Sequence, residues 1–220
     1  MSRRRVVAVV GGAVVLLVAL SVLVPGSPTR AFVRGAVHAQ CHTWVGDEGD
    51  RSLAVYGDSI SHADSEPRFG FHGRRSWYSA LVCSDRFTDG GNAAVPGETS
   101  AEVLARLAAD APQVDVLVVQ AGTNDLRLGV PTEETVANLR EAVRLAQEAA
   151  GTVVLTTVQP WHDTDATELN DAVRRLAAEA DVELVDFAGV LGDRRLTRDG
   201  VHPLPAGAHE LARLVAEATT

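Results

Sequence analysis

Residues 53–60 read Leu-Ala-Val-Tyr-Gly-Asp-Ser-Ile, and the rest of the chain is best interpreted from this stretch. Its first three residues are apolar and a glycine follows shortly after, which favours a short buried strand that ends in a turn. Ser59 then lies just beyond the strand. Open α/β folds bind their ligands beyond the carboxyl ends of the strands, so this hydroxyl is in a position to meet a ligand. Taken alone, Gly-Asp-Ser is also a common turn composition.

After this stretch the chain alternates between apolar strands and amphipathic helices. Four further strands are predicted, over residues 86–88, 114–120, 152–158 and 182–187. The run at 114–120 is almost wholly apolar, which is typical of a central parallel strand covered on both faces. Ser76 is placed to cap the first helix, and Thr99 with Glu102 forms a capping box for the next. This order predicts a three-layer α/β/α sandwich with a parallel five-stranded sheet.

The amino-terminal segment differs from the remainder in charge and hydropathy. Residues 1–40 contain five of the 20 arginines and no acidic residue, so the rest of the chain carries 15 basic and 29 acidic side chains and a formal charge of −14. Residues 6–24 form an uncharged apolar run that would reach about 29 Å as a helix, close to the hydrocarbon thickness of a bilayer. We expect residues 1–24 to be a signal peptide or, in preference, a transmembrane anchor, residues 25–49 a linker, and residues 50–220 the folded domain.

The charges on either side of the apolar run predict where the domain resides. Arginines before the run keep the amino end in the cytoplasm, so the domain is expected to be extracytoplasmic, membrane-anchored, or secreted if the segment is cleaved. Cys41 and Cys83 fit an oxidising compartment and are candidates for a disulfide that closes a loop of about 43 residues, the alternative being two buried free thiols. The acidic domain repels phosphate backbones, so nucleic acid is excluded as a partner, and membrane contact is expected through the amino-terminal segment only. The sequence carries no signal for an oligomeric state.

Polar clusters follow three of the predicted strands, and a fourth precedes the last helix. In a parallel sheet these loops share one edge, so residues far apart in the sequence can converge there. Ser59, His202 and Asp199 supply a hydroxyl, an imidazole to take its proton and a carboxylate to orient the imidazole. Acyl transfer also needs donors for the developing oxyanion, and the candidates are the main-chain amides of Ser59 and Gly97 and the side-chain amide of Asn124.

Four motifs in this order resemble those of the SGNH (GDSL) hydrolases. The motifs are Gly57-Asp58-Ser59, residues 92–97, Gly122-Thr123-Asn124-Asp125 and Asp199-Gly200-Val201-His202-Pro203. The resemblance covers about residues 50–218 and implies a flavodoxin-like sheet. One departure, Ala94 where many relatives carry glycine, concerns only the shape of the second loop.

By position, the resemblance implies Ser59 as the nucleophile, Asp199 with His202 completing the triad, and Gly97 and Asn124 as oxyanion donors. It also implies esterase, lipase or carbohydrate-deacetylase activity without a metal or another cofactor. The predicted function is therefore a serine esterase that hydrolyses a short acyl ester or a carbohydrate acetyl ester through an acyl-serine intermediate. The alternatives are an O-acyltransferase that uses the same triad and a non-catalytic glycan-binding module.

Other polar residues near these motifs are candidates for lining the substrate site. His62 follows the serine motif, and Trp161 and His162 follow the predicted fourth strand, so all three are placed at the same edge of the sheet. His62, Asp64 and His72 also invite interpretation as metal ligands together with Asp58, but their spacing matches no standard ligand pattern. Because no long insertion between strands suggests a lid, we expect an open groove and a small-molecule or glycan ester with a short or soluble acyl group.

Overall fold

The computed structural model describes residues 21–42 and 49–220. The helices are α1 (Pro28–His38), α2 (Ser59–His62), α3 (Trp77–Val82), α4 (Ser100–Ala109), α5 (Thr123–Leu128), α6 (Thr132–Ala149), α7 (Thr167–Ala180), α8 (Phe187–Leu191) and α9 (Pro205–Ala218). The strands are β1 (Ala39–His42), β2 (Ser52–Gly57), β3 (Phe71–Gly73), β4 (Thr88–Asn92), β5 (Val114–Gln120), β6 (Ala150–Thr156) and β7 (Glu183–Val185). A 3-10 turn covers Pro67–Phe69.

The main sheet is five-stranded and parallel throughout, with the strand order β4-β2-β5-β6-β7. In terms of its own strands this is the order 2-1-3-4-5 of flavodoxin-like folds, so the predicted fold class is confirmed. Alternate residues of the central strand β5 point into two separate cores. Val116 and Val118 pack with Trp77 on one face, while Leu117 and Val119 pack with the helices on the other face. Helices therefore cover both faces, which gives the three predicted layers.

The bounds of several predicted strands differ from those in the structure. The fourth strand, predicted at 152–158, is β6 at Ala150–Thr156. The second strand is β4 at Thr88–Asn92, whereas the prediction placed it at 86–88 and treated the glycines that follow as a loop. The glycines suit an edge strand here because a side chain at Gly90 would come within 2.8 Å of the carbonyl oxygen of Leu53. The fifth strand ends at Val185 rather than at 187, since Asp186 accepts a hydrogen bond from Gly189 N–H at 3.2 Å and caps α8.

Most of the predicted anchor, residues 6–20, lies outside the described residues. Over residues 21–42 and 49–220, the structure contains no helix with the length and apolarity needed to cross a bilayer. The predicted linker at 25–49 includes α1 and β1 in its described part. Strand β1 pairs antiparallel with β3, and Cys41 is joined to Cys83, after α3, by a disulfide with a Cα–Cα distance of 5.7 Å.

Candidate active site

Ser59 begins α2 directly after strand β2, on a turn that its neighbours hold in place. The carboxylate of Asp58 caps this helix by accepting the Ile60 N–H at 2.8 Å, and the Asp58 N–H donates to Gln120 Oε1 at 3.2 Å. A side chain at Gly57 would approach Gln120 Oε1 to 2.8 Å, so the strand-to-helix turn needs glycine there. Asp58 and Ile60 are buried while Ser59 is half-buried, which leaves the serine hydroxyl accessible at the sheet edge.

A continuous hydrogen-bonded relay joins the three predicted triad residues. Ser59 Oγ lies 2.9 Å from His202 Nε2, and His202 Nδ1 lies 2.9 Å from Asp199 Oδ2. The other carboxylate oxygen of Asp199 accepts the main-chain N–H groups of Val201 and His202 at 3.1 and 2.8 Å. Gly200, with φ of +87°, allows the tight turn that brings the carboxylate back onto the ring three residues later.

The environment of Asp199 keeps its carboxylate ionised. Partial desolvation acts to raise the pKa of Asp199, but the hydrogen bonds from the main chain and ring of His202 outweigh it and hold this pKa well below its usual range. An ionised carboxylate accepts a hydrogen bond from the Nδ1–H of His202. Nε2 is then unprotonated and can accept the proton of Ser59.

The topology places the segments that carry both predicted oxyanion donors on either side of the strand that precedes Ser59. Strand β2 lies between β4 and β5, so the loop after β4, which carries Gly97, and the helix after β5, which carries Asn124, flank the end of β2. Gly97 has φ of +90°, a backbone conformation that favours glycine. Asn124 is buried, and its Nδ2 donates one hydrogen bond to the carbonyl oxygen of Glu98 at 2.8 Å, while Arg127 Nε donates to its Oδ1 at 3.3 Å. Within the part of the chain that the structure describes, the second N–H of this amide makes no hydrogen bond.

Arg106 holds the loop that carries Gly97. Its Nε donates to the Glu98 carboxylate at 2.7 and 2.8 Å, and its Nη1 donates to the carbonyl oxygen of Ala93, at the other end of the loop. The guanidinium carbon lies 5.4 Å from the centre of the Tyr56 ring, within the range of a cation–π contact. Sequence reasoning missed Arg106 because an arginine on an amphipathic helix resembles any solvated surface residue.

Gln159 supports the triad loop and was also missed. Its side-chain Nε2 donates to the carbonyl oxygen of Gly200 at 2.9 Å, and its main-chain carbonyl oxygen accepts a hydrogen bond from Thr123 Oγ1 at 2.8 Å. Gln159 thereby connects the loop after β6 to both the triad loop and helix α5. Its position directly after the predicted fourth strand was the only signal in the sequence.

Asp58 is an ionisable group buried directly beside Ser59. It is fully buried, and its Oδ2 has no hydrogen-bond partner within the part of the chain that the structure describes. Desolvation raises the pKa of Asp58 to about 6, despite the opposing hydrogen bonds from Ile60 and Gln120.

A cavity of about 150 Å³ opens at the triad. Its lining includes Ser59 and His202 together with His62, Asp64, Arg75 and Arg198. Arg75 forms a two-pronged ion pair with Asp64. His62, a predicted lining residue, is therefore at the site, and desolvation lowers its pKa. A cavity of this volume holds a molecule about the size of benzene.

Trp161 and His162 lie on the other side of the histidine. The Trp161 ring is half-buried and meets the His202 ring edge-on, with 6.3 Å between the ring centres. Arg127 lies over the same indole at 5.5 Å. His162 is exposed and packs against Trp161 at 4.6 Å. Trp161 therefore contacts the triad directly, and His162 lies further out.

Asp64 and His72, which were considered as metal ligands, make contacts with separate partners. Asp64 pairs with Arg75, while His72 is buried with its Nε2 at 3.2 Å from Asp89 Oδ2 and its ring stacked on Tyr78. Within residues 21–42 and 49–220, no three His, Cys, Asp or Glu side chains are grouped closely enough to hold a metal ion.

Comparison with known proteins gives matches that span this site. The sequence model of the GDSL-like lipase/acylhydrolase family matches residues 55–209. An arylesterase from Vibrio mimicus is 26% identical over 184 residues, which cover 77% of this chain and 88% of the relative. The structure is similar to that of an acetylxylan esterase from Geobacillus stearothermophilus, with a TM-score of 0.64 and 20% identity over 80% of this chain and 96% of that one. A psychrotrophic esterase from Pseudoalteromonas sp. gives a TM-score of 0.61 and 20% identity over 77% of this chain and 96% of that chain.

Proposed function

The chain belongs to the GDSL-like lipase/acylhydrolase family and is an ester-bond hydrolase, and we propose that it cleaves short acyl esters or carbohydrate acetyl esters through an acyl-Ser59 intermediate. The observation that carries the proposal is the relay from Ser59 through His202 to Asp199, with both hydrogen bonds at 2.9 Å. These are the distances expected when a nucleophile is already hydrogen-bonded to its general base.

In the proposed reaction, Ser59 Oγ attacks the ester carbonyl carbon while His202 Nε2 takes the hydroxyl proton. The imidazolium that forms is stabilised by the ionised Asp199. Negative charge on the tetrahedral intermediate is stabilised by the main-chain N–H groups of Ser59 and Gly97 and by the Asn124 amide, each donor typically contributing about 2.7 to 4 kcal/mol. The intermediate collapses when the C–O bond to the alcohol breaks and His202 returns the proton to the leaving oxygen.

Deacylation repeats these steps with water in place of serine. His202 removes a proton from the water that attacks the acyl-Ser59 carbonyl, and the same donors stabilise the second tetrahedral intermediate. Collapse of this intermediate returns the proton to Ser59 Oγ and releases the carboxylic acid.

The size of the cavity supports a short acyl group. About 150 Å³ is available beside Ser59, and the lining contains the charged pair Asp64 and Arg75 rather than a long apolar channel. A long acyl chain would have to lie over this polar surface, where its burial would stabilise the complex little. An acetyl group or a similarly short acyl group fits the space.

We also propose that the domain is extracytoplasmic. The apolar run at residues 6–24, with arginines before it, and the disulfide between Cys41 and Cys83 support this location. Protease added to intact cells should degrade the domain in the anchored form, and the protein should be found in the medium if the segment is cleaved. Protection of the domain until the cells are lysed would refute the proposal.

Labelling of Ser59 tests the proposed chemistry. The purified protein should react with a fluorophosphonate probe and hydrolyse p-nitrophenyl acetate, and Ser59→Ala should lose both activities. Ser84→Ala is the matched control and should retain both, because the hydrogen bonds of this hydroxyl to the described residues go only to main-chain carbonyl oxygens of α3. Unchanged hydrolysis by Ser59→Ala would refute the nucleophile. Failure of the parent protein to react with the probe, combined with retention on a glycan column, would favour the binding module.

A substrate panel tests the acyl preference. We expect kcat/KM to fall as the acyl chain of p-nitrophenyl esters lengthens and acetylated oligosaccharides to be deacetylated. A preference for long acyl chains would contradict the size argument without affecting the proposed triad.

A further inference from the structure

Large apolar side chains are exposed mainly at one place on the protein. Seven are exposed among the described residues, and five of these belong to the short amino-terminal stretch: Leu23, Val24, Phe32, Val33 and Val37. Leu23 and Val37 are 73% and 62% exposed. Apolar patches of this kind, when rimmed by polar residues, mark sites of interaction with proteins or membranes.

The same stretch is basic on an otherwise acidic protein. Helix α1 contains Arg30 and Arg34 and no acidic residue. Both arginines and Arg68 line a cavity of about 230 Å³, and Glu66 is an acidic partner of Arg34 and Arg68 there. This region therefore has three arginines and one carboxylate. The residues after 40, in contrast, carry a formal charge of −14.

Contacts with the domain determine which face of α1 points outward. Ala31 and Gly35 are buried, and a side chain at Gly35 would come within 2.7 Å of the Phe71 ring. The Phe32 ring packs edge-on against Phe71 with 5.2 Å between the ring centres. Positions 30, 33, 34 and 37 are all exposed and recur at three- and four-residue spacing, so they share one exposed face, with Arg34 at its edge, where it pairs with Glu66. We call this surface, formed by Arg30, Val33, Arg34 and Val37, the α1 face.

A groove connects this region of the surface to the catalytic cavity. It has a volume of about 510 Å³, and its lining includes both Arg34 and Arg68 and, with them, His62 and Pro96. His62 and Pro96 also line the cavity that contains Ser59. A surface on which the α1 face rests would therefore lie beside the mouth of the active-site groove.

We propose that the α1 face docks on the surface of an anionic phospholipid bilayer. A helix with exposed valines and arginines on one face suits the boundary between headgroups and acyl chains. The predicted membrane run ends at residue 24, and α1 begins at Pro28, so α1 lies within about 15 Å of the end of that run. A second copy of the chain would bring two basic faces together, and their repulsion disfavours that occupant.

The position of the α1 face can be measured in the full chain reconstituted into vesicles. An environment-sensitive fluorophore is attached at Val37→Cys, since the two native cysteines are bridged, and at Glu179→Cys on α7 as the exposed control. Vesicles of phosphatidylglycerol with phosphatidylcholine are compared with vesicles of phosphatidylcholine alone. We expect the probe at 37, but not at 179, to be blue-shifted and protected from iodide on the anionic vesicles.

Charge variants separate docking from insertion of the apolar run. Arg30→Gln should lower the ratio of docked to undocked α1 about fivefold. The reason is that each basic residue near an anionic surface favours binding by about that factor in the equilibrium constant. Arg140→Gln, an exposed arginine on α6, is the matched control and should leave the ratio unchanged. Both variants should hydrolyse p-nitrophenyl acetate at the parent rate, which shows that they are folded.

Four results would overturn the proposal. The first is equal iodide quenching at positions 37 and 179 on anionic vesicles. The second is equal protection at 37 on neutral and anionic vesicles. The third is an unchanged ratio of docked to undocked α1 in Arg30→Gln. The fourth is protection at 37 that rises with protein concentration in detergent without vesicles, which would indicate a second copy as the occupant.

Discussion

Asp58→Asn should gain stability over the parent protein as the pH rises from acidic to neutral. The Asp58 carboxyl is fully buried, its Oδ2 has no partner among the described residues, and its pKa is raised from 3.8 to about 6. Below pH 3.8 the group is protonated in both the folded and the unfolded chain. As the pH rises towards 6, the unfolded chain ionises first, so the free energy of unfolding falls. A difference of about two pKa units corresponds to roughly 3 kcal/mol.

Asparagine keeps the shape of the aspartate and cannot ionise. Its side-chain oxygen can still accept the Ile60 N–H, so the helix cap is retained. The difference in unfolding free energy between Asp58→Asn and the parent should therefore shift by roughly 3 kcal/mol in favour of the variant between about pH 4 and about pH 7.5. Urea unfolding followed by circular dichroism at several pH values measures this difference.

Asp165→Asn is the matched control for this experiment. Asp165 Oδ1 accepts the N–H two residues ahead, Thr167, at 2.8 Å, in the same local geometry as Asp58, but on the surface. Hydrogen bonds from the Thr167 hydroxyl and main chain lower the pKa of Asp165, so its contribution to stability changes only below pH 3.8. A stability difference for Asp58→Asn that stays constant from pH 4 to 7.5, as expected for Asp165→Asn, would refute the reasoning.

Three further substitutions test the parts of the site and the fold. Asp199→Asn should lower kcat on p-nitrophenyl acetate roughly 10²- to 10⁴-fold, because His202 loses the carboxylate that orients it, and a loss of less than about twofold would contradict this role. Arg106→Gln should lower kcat about tenfold or more with little change in KM, since it frees the loop that carries an oxyanion donor. Arg106→Lys should restore part of kcat, and equal losses in both variants would point to a general folding defect. Replacing Cys41 and Cys83 with serine should lower the unfolding free energy by about 4 kcal/mol, measured by urea unfolding, and an unchanged midpoint would argue against the bridge.

The order of elements and the polar loops could be predicted because they depend on local patterns. Residues 114–120 are apolar without interruption, and a buried central strand is the element that such a run favours. Once the strands were parallel, Ser59 and His202 were expected at one edge of the sheet, and the structure places their side chains 2.9 Å apart. The boundaries of β4 were wrong because its glycine-rich sequence has low strand propensity, and pairing with β2 overrides that preference.

The supports around the site could not be predicted, since they connect groups that the local sequence does not relate. Arg106 is one of 20 arginines, and nothing in its local sequence distinguishes it. It holds the loop that carries Gly97 because the Ala93 carbonyl and the Glu98 carboxylate both face its turn of the helix. Gln159 reaches the carbonyl oxygen of Gly200 across 41 residues.

By itself, the sequence determined the class of fold and the residue types that meet at the sheet edge, because hydrophobic periodicity and turn chemistry act over a few residues. Only the tertiary structure decided which long side chains hold the oxyanion loop and the triad loop, and that α1 packs on the domain with Val37 exposed. A hydrogen bond or an apolar contact depends on distance and direction to within about an ångström, and those are set only when the whole chain has folded.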